Sequence, residues 1–366
     1  MRVTAAVTES KGASFELQEL ELGELRATDV LVRVAAAGIC HTDLIVRDQW
    51  YPVPLPAVLG HEGAGLVERV GSAVVGLAPG DRVGLSFDSC GQCPTCLTAR
   101  PSYCHRFFEH NFAAARADGT SVLSRDGELI HAHFFGQSSF ATHAVAGARN
   151  VVRLPDGIGL DVAAPFGCGI QTGAGAVLNS LRVPAGSSIA IFGTGTVGLA
   201  GVMGAVIAGC TTIIGIDVNR SRLALARELG ATDVIDGRRE DAVERIARIT
   251  GAGADFSLET TASPAVFRQA VECTAPTGVC GLIGAPAFGT EVSLDMNSIL
   301  VTGRTIRGIV EGDSVPGLFL PRLVELWEQG RFPVDRLMTF YDFDRINEAA
   351  ADAEAGTVVK PVLRMA

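Results

Sequence analysis

Along its first 150 residues the chain alternates apolar and polar positions in short runs such as Asp29 to Val34, Gly65 to Val70 and Arg82 to Leu85, broken by Gly, Pro and Asp. A period of two with frequent turn residues predicts an antiparallel, barrel-like β domain. From about Ser187 the texture changes. Ser188 to Phe192 and Thr212 to Ile216 are near-continuous apolar runs, as expected of parallel strands covered on both faces. Leu223, Ala226 and Leu229 then recur at helical spacing between Asn219, a suitable N-cap, and Gly230, a suitable stop. Further strands are predicted at Asp233 to Ile235, Asp255 to Leu258, Val279 to Ile283 and Thr305 to Ile309, with helices through Ala242 to Ile249 and Pro264 to Cys273. About six strands with intervening helices make a doubly wound α/β sheet. The tail from about Asp313 carries an amphipathic helix (Leu318 to Gln329), a second helix (Phe343 to Ala355) and a strand (Val358 to Leu363). With the sheet complete before it, the tail is expected to pack back on the first domain.

Positions 183–216 carry no charged residue, a length that could suggest a membrane span. Pro184, a Ser-Ser pair and repeated glycines from Gly193 to Gly215 break the run, so strand, glycine turn, buried helix and second strand fit it better.

Composition narrows the function classes. At 366 residues the chain suits two domains of ordinary size. With 48% hydrophobic and 19% charged residues it is not a disordered protein. A net charge of −10 argues against nucleic acid or an anionic membrane as partner. Glycine is in excess, 43 residues, which implies many tight turns or close backbone approaches to a ligand. The N-terminal segment lacks the basic-then-apolar pattern of a signal peptide, so a cytoplasmic location with reduced thiols is expected.

Gly193-Thr194-Gly195-Thr196-Val197-Gly198 matches the dinucleotide fingerprint, with a strand before it, a helix after it and the acidic Asp217 ending the next strand. In that pattern Gly193 allows the tight turn, Gly195 the approach of backbone to pyrophosphate, and Gly198 close packing of helix on strand. A carboxylate at Asp217 accepts the ribose hydroxyls of NAD and repels a 2′-phosphate. NAD is therefore expected over NADP, although Arg220 and Arg222 stand nearby.

Cysteine supplies the other pattern. Cys90, Cys93, Cys96 and Cys104 can close a tetrahedral structural zinc site, the turns eased by Gly91 and Pro94. An iron–sulfur cluster, a redox pair and unbound thiols are the alternatives. A zinc-finger nucleic-acid module is opposed by the net negative charge and by spacers without basic residues within the Cys-x-x-Cys steps. A second, dispersed group places Cys40-His41-Thr42-Asp43, His61-Glu62 and Cys168 beside glycines. Spacing alone does not assemble these into one site. Cys210, Cys273 and Cys280 are expected to be core thiols.

Gly-Ile-Cys-His-Thr-Asp (38–43), Gly-His-Glu (60–62), the Cys90 to Cys104 lobe, Gly-Cys-Gly-Ile-Gln-Thr-Gly (167–173), the glycine turn (193–198) and Lys-Pro-Val-Leu (360–363) together resemble the zinc-dependent alcohol dehydrogenases of the medium-chain dehydrogenase/reductase family over essentially the whole chain. The resemblance implies a GroES-like β-rich catalytic domain, residues 1–169 completed by 313–366, and a Rossmann NAD-binding domain, residues 170–312. It implies two zincs per chain: a catalytic one on Cys40, His61 and Cys168, and a structural one on the four-cysteine lobe. Asp43 would orient His61, Glu62 would lie behind the metal, and Thr42 would hydrogen-bond the substrate oxygen. Cofactor contacts would come from His41 and Lys360 on the pyrophosphate, Thr172 beside the nicotinamide, and Gly193, Gly195, Thr196, Val197, Gly198, Asp217, Arg222 and Ile283. Where liver-type members place a relay histidine this chain has Ile45, which leaves proton exit to water or His41.

Trp50, Tyr51, Phe87, Phe135 and Phe140 fall in segments that line the family's pocket, or else belong to the core. The stretches Pro321 to Leu326 and Gly330 to Pro333 are similar to bacterial aryl-alcohol (benzyl-alcohol) dehydrogenases. The implied reaction is reversible oxidation of a primary aromatic or allylic alcohol to the aldehyde with hydride transfer to NAD, by a homo-oligomer, dimer or tetramer. An S-(hydroxymethyl)glutathione dehydrogenase with Arg116 in its pocket, a general aliphatic alcohol dehydrogenase and a non-enzymatic zinc and nucleotide binder are the alternatives.

Overall fold

In the computed structural model, which describes residues 1–365, the chain divides into two compact units. The first comprises Met1–Cys168, Ser314–Gly330 and the chain from Val334 onward; the second comprises Gly169–Asp313 with Arg331–Pro333.

Two sheets form the first unit. One has the spatial order Ala57–Val58, Arg2–Thr8, Glu16–Leu22, Leu123–Arg125, Glu128–Ile130. The other runs Val151–Arg153, Arg82–Leu85, Gly63–Val70, Asp29–Gly38, Lys360–Arg364, Met338–Asp342, with His143–Gly147 also paired on Asp29–Gly38. Ladders within the first 168 residues are antiparallel, the pattern that short connections between successive strands favour. Asp29–Gly38 is the long central strand because its apolar residues are buried almost throughout, from Val30 to Ala37, with Arg33 as the exposed exception. The core beneath holds Leu20, Leu31, Leu44, Leu59, Phe134 and Phe140.

The tail packs on this unit. Lys360–Arg364 pairs antiparallel with Asp29–Gly38, Val362 opposite Gly38. It also pairs in parallel with Met338–Asp342, a strand the sequence pattern did not announce because four of its five residues are at least partly exposed. The second tail helix begins as a 3₁₀ turn, Phe343–Arg345, and becomes α-helical only over Ile346–Ala355.

The second unit is a six-stranded, wholly parallel sheet with the order Asp233–Asp236, Thr212–Asp217, Ser188–Phe192, Ala254–Glu259, Thr274–Leu282, Thr305–Gly308. Reversal of strand order beside Ser188–Phe192 is the doubly wound arrangement, and the crevice at that switch point is where such sheets bind ligands. The helix Arg220–Glu228 begins where expected, the Asn219 side chain accepting from the Ser221 N–H. Thr274–Leu282 starts earlier than predicted because its ladder tolerates an irregularity between Ala254 and Phe256, which accommodates Pro276 and Gly278. Cys273 and Cys280 are buried, whereas Cys210 is only partly covered and is not a core thiol. Among the described residues no helix is long and apolar enough to cross a membrane.

Candidate active site

Cys40 ends the central strand's exit and caps the helix His41–Arg47, with extended backbone at φ −108°. Asp43, one turn in, organises the surroundings: its Oδ2 accepts from the Cys40 N–H at 2.9 Å, and its Oδ1 accepts from the Gly60 N–H at 3.1 Å and from His61 Nδ1 at 2.8 Å. Neither Asp43 nor His61 reaches solvent. Gly60 is required because φ is +90° and a Cβ there would strike Phe140. Cys168 is delivered by a similarly tight approach, since any Cβ on Gly167 would meet the Leu85 carbonyl oxygen.

Three segments thus bring the donor atoms of Cys40, His61, Glu62 and Cys168 within 4.8 Å of one another. With Nδ1 committed to Asp43, His61 Nε2 is buried without a hydrogen-bond partner, an orphan that a metal ion would satisfy. The neighbouring Cys168 thiol draws Cys40 well below the ordinary thiol range, against the opposing effect of burial. Two thiols and an imidazole form a donor set that could hold a zinc ion with one position left open. The Phe135 ring stacks on His61 at 4.4 Å, and Phe134 meets it edge-on at 5.5 Å. Thr42 Oγ1 lies 3.7 Å from Cys40 Sγ, and His41 is exposed beside it.

The second donor set is closed. Cys90, Cys93, Cys96 and Cys104 place their sulfurs within 4.8 Å, with Cys90 to Cys96 at 3.9 Å and Cys93 to Cys104 at 4.0 Å. A tetrahedron with Zn–S near ~2.3 Å has edges of about 3.8 Å, so the lobe fits zinc with little movement. Backbone N–H groups of Cys93 and Arg106 already donate to Cys90 and Cys104 sulfurs. The Thr95 hydroxyl brings Cys93 down to about 5, while desolvation pushes Cys96 up to about 12. Four crowded thiols cannot all ionise without a cation among them.

In the second unit Gly193 turns at φ +87°, and a Cβ on Gly198 would strike the Gly193 carbonyl oxygen, the close packing the fingerprint demands. Asp217 Oδ2 accepts from the Thr194 N–H at 2.6 Å and its hydroxyl at 2.9 Å; Oδ1 accepts from the Val218 and Asn219 N–H groups at 2.7 and 2.9 Å. Thr196 and Val197 open the helix Thr196–Ala208. Arg222 Nη1 stands 4.0 Å from where a Cβ of Gly195 would be, and its Nε is buried without a partner.

Matching family models cover both units: the alcohol dehydrogenase GroES-like domain over residues 26–156 and the zinc-binding dehydrogenase over residues 196–325. Geraniol dehydrogenase of Castellaniella defragrans is 46% identical over 361 residues, 98% of this chain and 96% of the relative. This chain belongs to the zinc-binding alcohol dehydrogenases. Two solved members of the family superpose along the full length. An alcohol dehydrogenase zinc-binding domain protein from Burkholderia ambifaria has a TM-score of 0.98 at 53% identity, covering 100% of this chain and 99% of that one. Benzyl alcohol dehydrogenase from Acinetobacter calcoaceticus has a TM-score of 0.97 at 46% identity and full coverage of both chains.

Other expected site residues of this dehydrogenase fall in different places. The Lys360 ammonium is buried and donates to Glu62 Oε1 and Oε2 at 3.0 and 2.8 Å and to the Ile39 carbonyl at 3.1 Å. Phe140 is a fully buried core residue, edge-on to Phe15 at 5.7 Å beneath Gly60. Phe87 is buried in the same core, 6.1 Å from Phe107, and Tyr51 is half-buried, edge-on to Phe112 at 5.6 Å. Trp50 is exposed, and of the five aromatics Phe135 is the one in contact with the donor set. Thr172 is buried with its hydroxyl 3.4 Å from Glu311 Oε2, and the Ile283 N–H donates to the Glu259 carbonyl at 2.9 Å. Glu311 was missed by sequence reasoning; a lone acid in a Gly-containing turn carries no local signal. Phe134 was missed because its place against His61 depends on left-handed backbone at His133 and Phe135.

Proposed function

We propose that the chain oxidises a primary aromatic or allylic alcohol to its aldehyde, reversibly, with NAD as hydride acceptor. The observation that carries this reading is the convergence of Cys40, His61 and Cys168, with the Phe135 ring stacked on the imidazole. Relatives named geraniol dehydrogenase and benzyl alcohol dehydrogenase support an allylic or aromatic substrate. Held by Cys40, His61 and Cys168, zinc would supply the Lewis acid that acidifies an alcohol, while NAD would take the hydride.

The chain's own residues do the rest. Asp43 fixes the His61 tautomer, leaving Nε2 as the metal-facing nitrogen. The Thr42 hydroxyl, close to Cys40, accepts the alcohol's proton by hydrogen bonding. Ile45 is buried and apolar, so it passes no proton, and exposed His41 or water completes the path. Glu62 is kept ready behind the donors by Lys360. Asp217 favours NAD through the ribose hydroxyls. The four-cysteine lobe, having no open position, holds a second zinc that maintains its loop.

A glutathione-dependent reading finds less support, because Arg116 is engaged by Asp29 at 2.5 Å. A homo-oligomer, dimer or tetramer, accords with the edge position of Thr305–Gly308 and the exposure of Met296, Leu300 and Val301 in the preceding helix.

The test is a steady-state panel of benzyl alcohol, geraniol, ethanol and S-(hydroxymethyl)glutathione with NAD and with NADP. The expected result is highest kcat/KM for benzyl alcohol or geraniol with NAD. Higher activity on the thiol adduct or on ethanol would overturn the substrate class, and no activity on any alcohol would overturn the enzyme reading.

A further inference from the structure

In the second unit the glycine turn is held from two sides. The strand Ala254–Glu259 lies parallel to Ser188–Phe192, with Glu259 opposite Phe192, so the next residue, Thr260, arrives beside the turn. Its N–H donates to the Phe192 carbonyl at 3.0 Å, and its hydroxyl lies 2.8 Å from that carbonyl oxygen and 3.1 Å from the Gly193 carbonyl oxygen. One hydroxyl proton is thus shared between two acceptors. The approach is close: a Cβ on Gly193 would come 2.5 Å from Thr260 Oγ1 and 2.8 Å from Thr261 Cγ2.

The other end of the same peptide is tied as well, since the Thr194 N–H donates to Asp217 Oδ2 at 2.6 Å. Gly193 C=O and Thr194 N–H belong to one planar unit, so a bond at each end fixes which way that plane faces. Gly193 needs this fixing, because it stands at φ +87° with no Cβ to restrict it. Turning the plane over would aim its carbonyl oxygen at the Asp217 carboxylate. The helix Thr196–Ala208 packs so tightly on the turn that a Cβ on Gly198 would strike the Gly193 carbonyl oxygen. The orientation of this one peptide therefore bears on the amides that open the helix, the groups that meet phosphate in such turns.

Thr260 is itself anchored. Glu259 Oε1 accepts from the Thr261 N–H and hydroxyl, both at 2.5 Å, and the Glu259 carbonyl accepts from the Ile283 and Gly284 N–H groups at 2.9 and 3.1 Å. Ala262 then turns in left-handed backbone at φ +63°, a conformation that alanine keeps only where its surroundings impose it.

We propose that Thr260 is a positioning residue for the dinucleotide: its hydroxyl, opposite Asp217, locks the Gly193–Thr194 peptide in the orientation that presents the turn's amides to the diphosphate. The proposal rests on the reading of this turn as the dinucleotide site.

Fluorescence titration of the zinc-loaded full chain with NADH tests it, together with calorimetric titration with ADP, which carries the diphosphate without the nicotinamide. Thr260→Val keeps the branched shape and loses the donor. It should weaken both ligands about three- to tenfold, the worth of one net hydrogen bond, and raise the KM for NAD with no comparable fall in kcat. Thr260→Ser should restore affinity to within twofold of wild type. Ser257→Ala is the comparison: its hydroxyl, on the same strand, meets the Ala270 carbonyl at 2.8 Å and the Thr274 hydroxyl at 2.9 Å, away from the turn. That variant should lower the melting temperature and leave NADH affinity unchanged. Should Thr260→Val not fold, Thr260→Ala takes its place. Equal binding by wild type and the Thr260 variant, a loss confined to NADH, no rescue by serine, or an equal loss in Ser257→Ala would overturn the proposal and leave the dinucleotide reading intact. Wild type that binds neither ligand would overturn both.

Discussion

The Lys360 ammonium donates to both oxygens of Glu62, at 3.0 and 2.8 Å, and neither side chain reaches solvent to any useful extent. The pair joins the last strand of the chain to the residue that follows His61. Removing one partner of a buried ion pair strands the other charge, at a cost of about 3–5 kcal/mol. Lys360→Met should therefore lower stability by about that much in urea unfolding followed by far-UV circular dichroism. The double variant Lys360→Met with Glu62→Gln should recover much of the loss. Equal destabilisation by single and double variants would show that the pair itself is not the cause.

Asp43 accepts from three donors through two oxygens. Asn at this position offers one acceptor oxygen, so either the Cys40 N–H or the His61 Nδ1–H loses its partner. Asp43→Asn should lower zinc affinity about 10–100-fold, the range for loss of a group that orients a metal-binding histidine. Competition with a chromogenic chelator measures it, and retention of wild-type affinity would count against the orienting role.

Two separate donor sets predict about two zincs per chain by elemental analysis. Cys40→Ser should abolish turnover with little change in melting temperature. Cys96→Ser should lower the melting temperature first, since its lobe closes a loop and holds no open position. Equal loss of stability in both variants would contradict this division.

Asp217 accepts four hydrogen bonds from the glycine turn and the start of the next helix, and Arg220, Arg238 and Arg239 stand close by. Replacing it with glycine removes the repulsion toward a 2′-phosphate and loosens Thr194. Asp217→Gly should raise the KM for NAD and shift the NADP to NAD ratio of kcat/KM at least tenfold toward NADP. An unchanged ratio would remove Asp217 as the determinant of cofactor choice.

His133 gives a pH dependence with a definite sign. Its folded-state value of about 4 lies below the ordinary 6.5, so between these values the unfolded chain binds the extra proton. The stability associated with neutral His133 is fully present above pH 6.5 and is lost as pH falls toward 4, by about 3 kcal/mol for a shift of this size. Scanning calorimetry from pH 7.5 to 4.5 should show a shallower acid decline in His133→Gln than in wild type. Parallel curves would assign the acid sensitivity elsewhere.

The sequence by itself determined the features whose causes lie within a few residues. Asn219 caps its helix and Gly193 to Gly198 forms its turn, because cap and turn geometry are local. Cys90 to Cys104 forms a donor set for the same reason, all four sulfurs being carried on one short loop. The apolar run Ser188 to Phe192 announced a buried parallel strand, since a strand covered on both faces has no polar side to show. Only the tertiary structure decided which distant residues meet. Lys360 on Glu62, Phe135 on His61, Glu311 beside Thr172 and the Thr260 hydroxyl on the Gly193 carbonyl all depend on segments far apart in the chain or on strained backbone. Alternation reveals that a face is buried but not what covers it, so Phe140 could be read as pocket or core until Gly60 was found packed against its ring.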